Sequence, residues 1–165
     1  MELTITAGRP PRRVAAPLSK SEGHRALILA ALAEGETLLP VLPASDDLTA
    51  TMECLRQMGA DITLTAEGLR VSPIRAVPTK ALRLDCKESG STLRFLLPVA
   101  AALGLRAVFT GKGRLPERPI GELLEALRKN GITAEVRREP WEIAIGGRLT
   151  AGTFLLPGNV SSQYI

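Results

Sequence analysis

Four short stretches of this sequence carry side chains that could do chemistry, and all four suit the holding of anions. Ser19-Lys20-Ser21 and Arg25 precede an apolar run from Ala26 to Ala33. Gly90-Ser91 and Arg94 open a second apolar run. The segment GKGRLPERPIG, from Gly111 to Gly121, holds Arg114 and Arg118, and Ser161-Ser162-Gln163 lies close to the last residue, Ile165. A helix N-terminus exposes unpaired N–H groups and a partial positive charge, so hydroxyls, glycines and cations placed there can hold phosphate or carboxylate. Any one stretch fits a capped helix with solvated basic residues equally well. The case rests on their recurrence.

Composition narrows the choices. At 165 residues and 45% hydrophobic content the chain can bury a real core, yet only 3% is aromatic, so that core must be built of Leu, Ile, Val and Ala. A net charge of +4 hints at an anionic ligand. There is no Lys/Arg run with interleaved aromatics, as a nucleic-acid surface would show. Cys54 and Cys86 are not spaced as metal ligands and read as free buried thiols in a reducing compartment. His24 is the only histidine, which leaves no multi-histidine zinc site. No segment approaches about 18 consecutive apolar residues, and no signal-peptide pattern opens the chain, so the expected location is cytoplasmic.

The elements that must position these residues follow from periodicity. Ser21 reads as the N-cap of a helix closed by Gly35, apolar on nearly every face and so expected to be buried on all sides. A short strand from Glu36 to Leu42 follows. Ser45-Asp46-Asp47 then starts a helix with Leu48, Met52, Leu55 and Met58 on one face. Strands at 62–65 and 69–71 turn at Glu67-Gly68. The order then repeats: a strand at 82–84, a helix from Ser89 to Gly104 containing Pro98 and an expected kink, a strand at 107–110, a helix from Pro119 to Gly131, and a hairpin around Glu139-Pro140. Ser21, Ser91 and Ser161 stand 70 residues apart, each where the first helix of a unit should begin. The reading is therefore an α/β chain of βαβαββ units: a crossing strand or arm at 1–14, repeat one at about 15–75, repeat two at about 80–147, and the start of repeat three at 150–165, with Thr153 to Leu156 as its strand. With helix starts related by pseudo-threefold symmetry, the polar motifs would meet at one end.

Taken in order, these motifs resemble those of the enolpyruvylshikimate-phosphate synthase family. Its first motif is Ser-Lys-Ser, three residues and Arg, then an Ala/Leu-rich helix. Its second carries Gly-Thr with Arg three residues on, matched here by Gly90, Ser91 and Arg94. The Gly111–Gly121 segment resembles a third, and Ser161-Ser162-Gln163 the phosphate-gripping motif. The resemblance implies buried helices and outer sheets, in an inverse α/β barrel of three units per domain. It also implies transfer of the enolpyruvyl group of phosphoenolpyruvate to the 5-hydroxyl of shikimate 3-phosphate, on the route to chorismate and aromatic amino acids. Carried over residue by residue, Lys20 contacts phosphoenolpyruvate and the attacking hydroxyl and is the catalytic candidate. Lys20, Ser21, Arg25, Ser161, Ser162 and Gln163 would hold shikimate 3-phosphate, with Ser21 and Arg25 on its carboxylate. Lys20, Gly90, Arg118 and Gln163 would hold phosphoenolpyruvate. Arg94 and Arg114 are supporting cations, although Arg94 fits a structural ion pair equally well.

The resemblance covers the first third to two-fifths of such an enzyme. It implies a fragment whose partner is the enzyme's second domain, with further acid/base groups beyond residue 165, so that the isolated chain is expected to be catalytically silent. No cofactor, metal, nucleic acid or membrane is implied, and the full-length form is expected to be a monomer. The sequence departs from the family at Pro17-Leu18, at His24, and at Glu88, where an Asn is usual. Two alternatives stay open: the related transferase acting on UDP-N-acetylglucosamine, and a non-catalytic phosphate- or RNA-end-binding module. The first usually has Lys-Asn at Lys20-Ser21 and a cysteine near Arg114, and this sequence has neither.

Overall fold

In the computed structural model the described residues are 8, 19–40, 45–159 and 163. The expected crossing strand at 1–14, apart from Gly8, and the Ser161-Ser162 helix start lie outside them. Unit one contains helix α1 (Lys20–Leu32), strand β1 (Thr37–Leu39), helix α2 (Asp46–Gln57) and strands β2 (Asp61–Leu64) and β3 (Leu69–Ser72). Unit two contains β4 (Leu82–Asp85), α3 (Gly90–Ala102), β5 (Ala107–Thr110), α4 (Gly121–Lys129), β6 (Ile132–Arg138) and β7 (Trp141–Gly147), with a short 3-10 turn at Leu115–Glu117.

The two units repeat one architecture. In unit one the sheet order is β1-β3-β2, all antiparallel neighbours. In unit two it is β4-β5-β7-β6, with β4 and β5 parallel and the rest antiparallel. Thus β1, β2 and β3 correspond to β5, β6 and β7, and α3 is the crossover that parallel strands require. Sheet residues alternate: Leu82 and Leu84 are buried while Arg83 and Asp85 face out, and Leu69 and Val71 are buried while Arg70 faces out. One sheet face therefore packs on helices and the other meets water. The buried side chains of both units, among them Leu27, Leu55, Leu96, Phe109 and Ile143, form one continuous core.

Finer contacts carry the same repeat. Arg56 Nε and Nη2 donate to the Ile62 carbonyl at 3.2 and 2.6 Å, and Arg128 makes the same fork to Ala134 at 3.0 and 2.6 Å. After each hairpin the chain returns to the first helix of its unit, where Ile74 N donates to Ala31 O and Leu149 N to Ala101 O.

Three expectations change. The N-cap of α1 is Ser19, not Ser21: Ser19 has extended backbone and its hydroxyl accepts from Glu22 N, while Ser21 lies inside the helix. Helix α1 is not buried all round, since Leu29 is 69% and Leu32 45% exposed. These two share a stripe three residues apart, which no described element covers. Thr153 to Leu156 is not a strand; no described strand pairs with it, and Leu155 is exposed. Helix α3 continues through Pro98 to Ala102. Cys54 and Cys86 are buried and free, as expected, and no described helix is long and apolar enough to cross a membrane.

Candidate anion-binding site

Helices α1 and α3 begin alike. Ser89 Oγ accepts from Thr92 N at 3.1 Å, as Ser19 Oγ does from Glu22 N at 3.3 Å. These caps, 70 residues apart, fix two helix starts in the same phase. A buried chain of hydroxyls then ties in α2. His24 Nδ1 lies 2.8 Å from Thr51 Oγ1, which lies 2.7 Å from Thr92 Oγ1. Thr92 Oγ1 is 2.7 Å from Ser89 Oγ and donates to the Asp47 carbonyl at 3.2 Å. His24 and Thr92 are essentially excluded from water. Burial lowers the His24 pKa most; Asp47 opposes this, and the Lys20 and Arg25 cations reinforce it. The imidazole is therefore held neutral, as a fixed hydrogen-bonding post beside the cations.

Lys20 is the first residue of α1. Its ammonium lies 2.9 Å from Asp47 Oδ2, with the side chains 59% and 33% exposed. Such a pair is weak, worth about 0–1 kcal/mol, so an incoming anion can draw Lys20 away at little cost. Arg25 donates to the Ser21 carbonyl at 3.2 Å, and its guanidinium sits 4.9 Å from the centroid of the Phe95 ring.

A second cluster surrounds Gly90, the first residue of α3. A methyl group there would stand 2.7 Å from Arg94 Nη1 and 2.8 Å from Arg118 Nη1. The absent side chain thus leaves bare backbone between two guanidinium groups. Arg94 is 7% exposed. It donates to Gln163 Oε1 at 3.0 Å and to Pro119 O at 2.8 Å. Gln163 in turn donates to Ser91 Oγ at 2.7 Å. Arg118 follows the 3-10 turn and lines a cavity of about 310 Å³ with Arg114, Glu117 and Pro119. Arg114 is 88% exposed and 3.9 Å from the Glu117 carboxylate. The loop that carries them turns at Gly113, whose φ of +58° suits glycine, and the Glu88 side chain packs against it.

The structure therefore brings Gly90, Arg94, Arg118 and Gln163 together, and places Lys20, Ser21 and Arg25 on the first turns of α1. Arg25, Arg94 and Gln163 also line, with Phe95, a larger cavity of about 540 Å³ whose remaining lining is apolar, including Leu29, Val99, Leu123 and Phe154. Ser161 and Ser162 lie outside the described residues. Asp47, Thr51, Thr92 and Phe95 escaped the sequence reading. Thr92, three residues after Ser89, carried a capping signal, and Phe95 stood out as the one aromatic of α3 in an aromatic-poor chain. The thiol of Cys86 is pushed well up by its hydrogen bond with Cys54 and by burial, so it is no nucleophile. Among the described residues no cluster of His, Cys, Asp and Glu could hold a metal ion.

The chain is similar to known proteins over nearly its whole length. The family model for EPSP synthase (3-phosphoshikimate 1-carboxyvinyltransferase) matches residues 9–165. A 3-phosphoshikimate 1-carboxyvinyltransferase of Clostridium beijerinckii is 39% identical over 170 residues, covering 99% of this chain and 39% of that protein. One from Clostridium perfringens is 34% identical over 165 residues, with the same coverage. A solved structure of EPSP synthase from Acinetobacter baumannii matches with a TM-score of 0.76 at 27% identity, over 92% of this chain and 36% of that one. The chain thus spans about 39% of the length of the curated relatives it matches. With the repeated units, the paired helix starts and the family match over 9–165 in agreement, the chain belongs to the EPSP synthase family.

Proposed function

We propose that this chain forms the shikimate-phosphate wall of an enolpyruvyl transferase site, closed by a second domain of the same enzyme. The 5-hydroxyl of shikimate 3-phosphate adds to C2 of phosphoenolpyruvate while a proton goes to C3. Loss of a C3 proton and of phosphate then restores the double bond on the new ether. Both substrates carry a phosphate and a carboxylate, so the site must gather cations around atoms that develop charge. Lys20, Ser21, Arg25, Ser161, Ser162 and Gln163 take shikimate 3-phosphate. Lys20, Gly90, Arg118 and Gln163 take phosphoenolpyruvate, with Arg94 and Arg114 in support.

The observation that carries this reading is Gly90 between the Arg94 and Arg118 guanidinium groups, with Gln163 bonded to both Arg94 and Ser91. Such an arrangement suits a small doubly charged anion better than a polymer backbone. Calorimetric titration with shikimate 3-phosphate, UDP-N-acetylglucosamine and a short RNA tests it, followed by phosphoenolpyruvate in the presence of whichever ligand binds. Saturable binding of shikimate 3-phosphate alone, tightening phosphoenolpyruvate, is the expected result. Preference for either other ligand would replace this reading.

A further inference from the structure

We propose that Phe95 is a positioning residue for the carboxylate-binding arginine: its ring holds the Arg25 guanidinium in place on the first turns of α1. The proposal rests on the reading that Arg25 takes the shikimate carboxylate. Arg25 is an exposed residue of α1 with a long, rotamer-rich side chain, and such a side chain loses affinity to disorder unless something fixes it. Two contacts fix it here. One is the hydrogen bond to Ser21 O within its own helix. The other reaches across to the second unit, where the guanidinium carbon lies 4.9 Å from the Phe95 ring centroid.

The ring is itself set. The His24 imidazole meets it edge-on at 6.2 Å and 64°, and His24 is pinned to Thr51 at 2.8 Å. His24 is neutral, so it does not repel the cation on the ring's face. The repeat explains why these residues meet. Arg25 and Phe95 are 70 residues apart, the same interval that separates the caps Ser19 and Ser89. They therefore occupy equivalent positions on α1 and α3, and the two side chains meet. Duplication has put a cation on one copy and its aromatic platform on the other. Both line a largely apolar groove that Arg94 and Gln163 also line.

Three chains, the original, Phe95→Leu and Phe95→Tyr, are titrated with shikimate 3-phosphate and with an analogue whose carboxylate is replaced by hydroxymethyl. Phe95→Leu should bind shikimate 3-phosphate about two- to fivefold more weakly, the factor an exposed cation–π contact supports. Phe95→Tyr should keep the original affinity. The analogue should not distinguish the three, and Phe95→Leu should have no further effect in an Arg25→Ala background. Independently of ligand, the Arg25 side-chain N–H resonance should lose its ring-current shift in Phe95→Leu, or in Phe95→Met if the leucine variant unfolds. No binding by the original chain would overturn the functional reading and this proposal with it. Binding that is unaffected by Phe95→Leu would overturn this proposal alone. A loss that persists with the analogue or without Arg25 would make Phe95 a packing residue only.

Discussion

Replacing Gly90 by alanine tests the cation cradle directly. The backbone tolerates the change, since Gly90 does not occupy the positive-φ region, and alanine is the better helix former by up to about 1 kcal/mol. The obstacle is steric. The new methyl would stand 2.7 Å from Arg94 Nη1 and 2.8 Å from Arg118 Nη1, well inside the roughly 3.5 Å that carbon contacts need. Arg118 is exposed and can swing away. Arg94 is buried and can retreat only by stretching its bonds to Gln163 and Pro119. Bonds to charged groups contribute about 1.5–3 kcal/mol each. Partial loss of one therefore cancels the helix gain and leaves stability within about 1 kcal/mol of the original. Ligand binding should suffer more, because the methyl fills the space between the two charges. Phosphoenolpyruvate affinity should fall about tenfold or more, equivalent to about 1.4 kcal/mol, with shikimate 3-phosphate affected less. Gly121, the first residue of α4, is the matched control: a methyl there meets nothing within 4 Å. Gly121→Ala should leave binding unchanged. The assay is calorimetric titration of both substrates on the full gene product, beside thermal melts. Equal phosphoenolpyruvate affinity in Gly90→Ala and Gly121→Ala would refute the cradle.

Arg25→Ala should weaken shikimate 3-phosphate binding by about 1.5–3 kcal/mol, the cost of a lost charge-assisted contact; unchanged calorimetric affinity would remove Arg25 from the carboxylate. Arg118→Lys should raise the Michaelis constant for phosphoenolpyruvate more than that for shikimate 3-phosphate, because an ammonium cannot reproduce a bidentate fork. Phosphate-release kinetics report both constants. His24 has its folded pKa depressed, chiefly by burial. As pH falls below about 6.5 the unfolded chain takes up a proton that the folded chain resists, so stability should drop through that window. Urea melts from about pH 7.5 to about pH 5 should show this slope, and His24→Gln should flatten it. An unchanged slope in the variant would assign the acid loss to other groups.

The repeat was legible because it is written in capping chemistry and glycine stops, which act locally. Hairpins at Glu67-Gly68 and Glu139-Pro140, helices ending before Gly104 and Gly131, and a strand at 107–110 stand where the sequence places them, and the strand expected at 82–84 runs one residue further, to Asp85. What misled was also local. Ser19 and Ser21 are both good caps, and only backbone geometry, set by packing, chooses between them. The apolar run in α1 reads as buried on every face because periodicity cannot say which stripe a neighbour covers. Thr153 to Leu156 has strand propensity but no described partner to pair with. In the site, residues matched through motifs were found. The Lys20–Asp47 pair, the Thr51–Thr92 hydroxyls and the Arg25–Phe95 contact were not, since each joins residues 27 or more positions apart.

The cations differ in how they are held, and that difference bears on what each can do. Arg94 is buried and held by bonds to Gln163 and Pro119, so its guanidinium is fixed in place. Lys20 and Arg118 are exposed, and the one described partner of Lys20, Asp47, is itself partly exposed and easily displaced. Asp47 also supplies, through its carbonyl, the acceptor at the end of the Thr92 hydroxyl chain. If Lys20 leaves for a phosphate, the Asp47 backbone stays fixed by that chain while its carboxylate returns to water. Asp47 thus serves two ends: its main-chain carbonyl joins the hydroxyl network that ties α1, α2 and α3 together, and its side chain holds the Lys20 ammonium through an exposed, weak pair.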